Sequence, residues 1–185
     1  MTTALTRESI TDEFEQIDSC LDVQLDATLL GGGALVLRGY KDTTHDIDLS
    51  VTSRSALDRL TEGLRELGYQ QVLYQEVGSE RYPLISLARG DGREMHVGTM
   101  QFGGDLLLTP SVLERSDRFY DGHTFRVQVL SIEDIYLRKL VAGRLKDTFD
   151  TMNLNDVSLD HDIIRTELAI QRELLDIELP NVVLR

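Results

Sequence analysis

A chain of 185 residues, 41% apolar but poor in aromatics and without Trp, suits one domain with an aliphatic core, or a core with a small helical extension. The single Cys20 excludes an intrachain disulfide framework and a cysteine zinc site, and the lack of both an apolar run of about 18 residues and a signal-like start at Met1 to Ala4 predicts a cytoplasmic protein. The net charge of −13 opposes a nucleic-acid partner, yet the only lysines are Lys41, Lys139 and Lys146 among many arginines, a pattern that suggests a halophilic cytoplasm, where screening would make net charge uninformative about substrate.

In chain order, Ile10, Phe14, Ile17 and Leu21 recur at helical spacing and predict a helix over Thr6 to Leu21. Asp26 to Leu30 reads as a short strand ending at Gly31-Gly32-Gly33, with a short helix over Ala34 to Arg38 opening from the glycines. Asp46 to Thr52 alternates, placing Ile47, Leu49 and Val51 on one face of a strand and Asp46, Asp48 and Ser50 on the other. A capping-box-like start at Ser55 opens a helix through Leu60, Leu64 and Leu67 that stops at Gly68. Strands follow at Gln70 to Glu76, Tyr82 to Ala88 and Glu94 to Thr99, the last two joined by the hairpin signal Arg89-Gly90-Asp91-Gly92. Thr109-Pro110 is a helix start. Phe125 to Leu130 is a strand, and Ser131 caps a helix running to Gly143. Helices over Asp147 to Leu154 and Asp160 to Leu175 complete the chain. The expectation is a mixed core of four to six strands followed by helices.

Two features carry chemistry. Glycines between a strand and a helix start free backbone N–H groups for an anion, although a plain tight turn is the commoner use of such a run. Asp46 and Asp48 project from one strand face; carboxylates so placed repel unless a cation neutralises them, and Mg²⁺ commonly binds through one or two carboxylates plus phosphates. A solvated strand face is the plainer alternative for an isolated Asp-x-Asp.

Leu30-Gly31-Gly32-Gly33-Ala34-Leu35 followed by Asp46-Ile47-Asp48-Leu49, with twelve residues between Gly33 and Asp46, resembles the signature of the nucleotidyltransferase superfamily, that of DNA polymerase beta, and more narrowly its small prokaryotic branch of AbiEii-type and related proteins. Thr44, two residues before Asp46, matches that branch, as does the stretch from Ser131 through Lys139 and Gly143-Arg144-Leu145-Lys146-Asp147 to Asp150. The resemblance implies an α+β fold, a mixed sheet flanked by helices over residues 1–130 with C-terminal helices over 131–185. It also implies Mg²⁺ or Mn²⁺ on Asp46 and Asp48, a nucleoside triphosphate as donor, and RNA or protein as hydroxyl acceptor.

Toxin-type relatives suggest a toxin–antitoxin role with an antitoxin partner. Gly31, Gly32 and Ser50 would line the phosphate path, with Arg38, Lys41, Lys139, Arg144 and Lys146 as the cations. Where the branch carries an Arg four residues before the first Asp, this chain has Asp42. Where a third acidic residue is usual, the strand reads Arg93-Glu94-Met95-His96-Val97. Glu94 is the favoured third ligand or base there, with His96 the alternative. Helical spacing places Lys139 at the edge of the buried stripe, facing the cleft, and pairs Arg138 with Asp134 on the exposed face. Two other readings are a nucleotide-binding protein of this fold without catalysis, and an interaction module pairing through Ile164, Leu168, Leu174, Leu175 and Ile177 of the last helix.

Overall fold

The computed structural model describes residues 3–77, 82–103, 106–154 and 157–175. Helix α1 (Arg7–Cys20) starts at a capping box, in which the Thr6 side chain accepts from Ser9 N–H and the Ser9 side chain accepts from Thr6 N–H. It buries Ile10, Phe14 and Ile17. Strand β1 (Leu25–Leu30) runs directly into helix α2 (Gly31–Leu37). The glycines therefore lie inside the first turn of α2, ahead of the start expected at Ala34. Gly31 makes the turn, at φ +63°, a conformation that favours glycine.

Strand β2 (Asp46–Val51) follows, then helix α3 (Arg54–Glu66). The cap of α3 is Ser53, whose hydroxyl accepts from Ala56 N–H, two residues before the expected start. Gly68, at φ +86°, ends it as expected. Strands β3 (Gln70–Val77), β4 (Tyr82–Ala88) and β5 (Glu94–Thr99) form an antiparallel meander. Short strands β6 (Gln101–Gly103) and β7 (Leu106–Leu107) pair apart from the main sheet, and helix α4 (Pro110–Arg115) is capped by Thr109. Strands β8 (Asp117–Asp121) and β9 (Phe125–Val129) precede helices α5 (Ile132–Ala142), α6 (Leu145–Asn153) and α7 (His161–Leu175).

The fold is α+β: a mixed sheet in the order β3-β4-β5-β2-β1-β9-β8, with seven helices among the described residues. Seven strands exceed the four to six expected. The strand that sequence missed in this sheet, β8, reads Asp-Arg-Phe-Tyr-Asp and sits at an edge, where one face meets water and alternation is lost. Strand β2 lies in the middle, antiparallel to β1 and parallel to β5, and its Ile47, Leu49 and Val51 are at most 1% exposed. Each such aliphatic side chain contributes about 1.5–3 kcal/mol through burial, so the register of β2 is fixed by its core face. The opposite face is therefore compelled to carry Asp46 and Asp48.

Helix α7 is docked by polar contacts as well as by Ile164, Leu168 and Leu175. Gln171 accepts from Leu107 N–H and donates to Leu107 O, at 2.9 and 2.7 Å. Of the apolar face read on this helix, Leu174 is instead exposed, and Ile177 lies outside the described residues. None of the described helices is long and apolar enough to cross a membrane.

Candidate active site

Register builds the floor of the site. The parallel pairing of β2 with β5 sets Asp46 beside Glu94 and Asp48 beside His96, and the antiparallel pairing with β1 sets Asp48 opposite Leu30. The chain therefore turns at Gly31 directly against Asp48. A Cβ on Gly31 would lie 2.0 Å from Asp48 Oδ2, and one on Gly32 would lie 2.3 Å from Thr44 Oγ1. Only glycine permits this approach. Thr44 is itself pinned by a two-bond bridge to Leu5, and its hydroxyl donates to Asp46 Oδ1 at 3.2 Å.

Asp48 is the electrostatic centre. Burial alone would raise its pKa, but the hydrogen bond from His96 and the charge of Arg138 outweigh burial and hold it at about 2. The carboxylate is thus ionised at neutral pH, so His96 Nδ1–H is the donor in the 2.9 Å bond to Asp48 Oδ1. The same bond is the main reason that the His96 pKa is raised. Arg138 Nη2 lies 3.6 Å from Asp48 Oδ2, and Lys146 Nζ lies 3.9 Å from Asp46 Oδ2.

Ligand atoms of Asp46, Asp48 and His96 all lie within 4.8 Å of one another. Glu94 is exposed and is not part of that cluster, although it shares the strand face. Two carboxylates and an imidazole form a donor set that fits a divalent cation, and the Gly31 cradle keeps backbone close to it without a side chain intervening.

The floor opens into a cavity of about 220 Å³ whose walls include Gly32, Lys41, Arg138, Lys139, Arg144 and Lys146. Helix α6 closes one side with Asp147 and Asp150. The buried Lys139 donates to both, Lys41 bonds Asp150 at 3.3 Å, and Arg144 bonds Asp147 at 2.6 Å. Burial would raise the Asp147 pKa, but Arg144 and Lys139 bring it below the usual carboxylate range.

Two expected nucleotide contacts fall elsewhere. Arg38 turns away, donating to Leu130 O, Val129 O and Asp117 on the β8–β9 side. Ser50 is 1% exposed, does not line the cavity, and its hydroxyl has no partner.

The contact that sequence reading missed is Arg138. It was expected on the exposed face of α5, paired with Asp134. It is 8% exposed and faces Asp48, while Asp134 is held by Arg115 and Ser131. An arginine–lysine pair inside the apolar run Ile135-Tyr136-Leu137 … Leu140 was the available signal, since a charge in a buried stripe needs a partner.

No protein-family model and no curated protein matches the chain. Solved structures do. One is a nucleotidyltransferase candidate from Thermotoga maritima, aligned over 78% of this chain and 91% of its own at 18% identity and a TM-score of 0.54. Another is the lincosamide antibiotic adenylyltransferase LnuA bound to lincomycin, aligned over 84% of this chain and all of its own at 14% identity and a TM-score of 0.57. At such identities the likeness establishes the fold, which is that of the nucleotidyltransferases.

Proposed function

We propose that the protein is a divalent-cation-dependent nucleotidyltransferase that moves a nucleotide from a nucleoside triphosphate to a hydroxyl acceptor. The observation that carries this reading is the convergence of Asp46, Asp48 and His96 against the Gly31 turn on a nucleotidyltransferase fold. A cation bound there would neutralise charge developing on the transferred phosphoryl group. Lys146 and Arg138 line the cavity as partners for the phosphate oxygens, and Lys41, Arg144 and Lys139 become available only if Asp147 and Asp150 yield them. The cavity volume is below the about 300–1,000 Å³ of typical small-molecule sites, so it suits the phosphates, with the nucleoside outside.

In the proposed step the acceptor oxygen attacks the α-phosphorus, the bond from that phosphorus to the bridging oxygen breaks, and pyrophosphate leaves. Glu94, exposed and on the same strand face as Asp46, is assigned the proton of the attacking hydroxyl. The acceptor is RNA or a protein side chain, in the manner of a toxin checked by an antitoxin. The likeness to an antibiotic adenylyltransferase adds small hydroxylated molecules to the acceptors worth testing.

The test incubates the protein with each labelled nucleoside triphosphate, Mg²⁺ or Mn²⁺ and, in turn, total RNA, a protein extract and a lincosamide, at low and high salt. Label transfer that disappears in Asp46→Asn and Asp48→Asn supports the reading, and transfer surviving both overturns it. A second reading, nucleotide binding without transfer, is favoured by the histidine at the third ligand position and by the engagement of Lys139 with Asp147 and Asp150. It predicts nucleotide-dependent stabilisation without pyrophosphate release.

A further inference from the structure

The donor set of the aspartate cluster is unusual for a phosphoryl-transfer floor in having nitrogen as its third ligand. Mg²⁺ prefers oxygen and dehydrates reluctantly, whereas imidazole suits the later divalent metals, whose affinity for mixed nitrogen and oxygen sites rises along the transition series. Paired-ion sites hold their metals about 3.5–4 Å apart on shared ligands. Here the two oxygens of Asp48 face different groups. Oδ1 takes the His96 hydrogen bond, while Oδ2 is backed by Gly31 and faced by the Arg138 guanidinium at 3.6 Å. Arg138 is 8% exposed, and its Nε is a buried donor without a hydrogen-bond partner. Arg138 also lines the cavity, where its guanidinium is placed to meet an acceptor such as a phosphate oxygen.

We infer that this site takes one transition-metal dication of the Mn²⁺ to Zn²⁺ series, in preference to Mg²⁺, through Asp46, Asp48 and His96, the proton of the His96–Asp48 hydrogen bond passing to solvent as the ion binds, with the Arg138 guanidinium standing where a second metal ion would otherwise sit. The inference rests on the cleft being the phosphoryl-transfer site proposed above. Its chemical content is separate: a permanent, unexchangeable charge on one side of Asp48 and an exchangeable, nitrogen-tolerant ion on the other.

The experiment titrates Mn²⁺ into the metal-free full-length protein, without nucleotide, and follows bound ion by electron paramagnetic resonance with Mg²⁺ as competitor. One Mn²⁺ per chain is expected, with ¹⁴N coupling from the imidazole and with Mg²⁺ a poor competitor. His96→Ala should abolish the nitrogen coupling and weaken Mn²⁺ binding about 10- to 100-fold. His96→Asp, which keeps a ligand in place, should narrow the preference for Mn²⁺ over Mg²⁺. Arg138→Gln should raise the stoichiometry towards two.

No binding, two ions per wild-type chain, equal affinity for Mg²⁺ and Mn²⁺, or unchanged binding in both His96 variants would each overturn the inference. Neither nucleotide nor acceptor is present, so the two proposals fail separately. One Mn²⁺ bound without label transfer removes only the transferase reading. Transfer supported by two Mg²⁺ removes only the metal assignment.

Discussion

Two successive turns of helix α5 bury charge in opposite ways. At its start, Asp134 accepts from Arg115 and Ser131, and Arg115 also bonds Glu167, which accepts in addition from Thr109, Ser111 and Gln171. Those Asp134 and Glu167 carboxyl groups have side-chain donors at hydrogen-bond distance throughout. One turn later, Arg138 meets Asp48 at 3.6 Å and keeps an orphaned Nε. The first network is closed and ties α4, α5 and α7 together. The second is open on one side, to a cavity. A closed network rigidifies, whereas an incomplete one in a cleft is a binding feature awaiting its ligand.

The largest expected effect separates the two networks by function. Asp48→Asn should lower nucleotidyl transfer about 10²- to 10³-fold, a loss typical of removing one preorganised electrostatic group from a reaction site. Purified Glu167→Ala should instead keep its activity per folded molecule. Its unfolding free energy should fall by about 3–5 kcal/mol, because Arg115 is left short of a buried partner. Equal activity losses in the two variants would erase the difference between the two networks. Denaturant unfolding and single-turnover transfer measure the two quantities.

A pH profile sharpens the reading of the closed network. Burial would raise the Glu167 pKa, but bonds from Arg115, Ser111, Gln171 and Thr109 outweigh it and lower the value below its ordinary 4.5. A carboxylate with a depressed folded pKa stabilises fully above its unfolded value and loses that contribution as pH falls through the folded one. The stability advantage of wild type over Glu167→Gln should therefore be full above about pH 4.5 and shrink on acidification, as followed by thermal melts in acidic buffers. An advantage that grew with acid would contradict the assignment.

The smallest effect concerns the pair that local spacing suggested. An exposed i, i+4 ion pair is worth about 0.3–0.5 kcal/mol, and Asp134 and Arg138 have each turned to other partners. A double-mutant cycle between these two positions should give a coupling near zero, whereas the cycle between Asp134 and Arg115 should not.

Much of the frame was legible in sequence because it rests on local rules. Alternation along β2 assigned Asp46 and Asp48 to one face, Thr6 and Thr109 announced helix starts, and Ser131 and Gly143 bracketed α5, Gly143 taking the left-handed C-cap. The charged partners were less legible. Arg38 lay near the glycines in sequence yet is drawn to Asp117 and backbone carbonyls of β9 and the residue after it. Glu94 was favoured over His96 as third ligand, yet it is His96 that stands beside Asp48, because the parallel register between β2 and β5 aligns those two positions.

By itself, then, the sequence determined the elements, the carboxylate face and the glycine turn, since period-two burial and positive backbone φ are properties of short segments. Which charges meet was decided only in the tertiary structure. An ionic side chain reaches several possible partners, and the choice falls to burial and strand register, which bring residues 48, 96 and 138 together from separate parts of the chain.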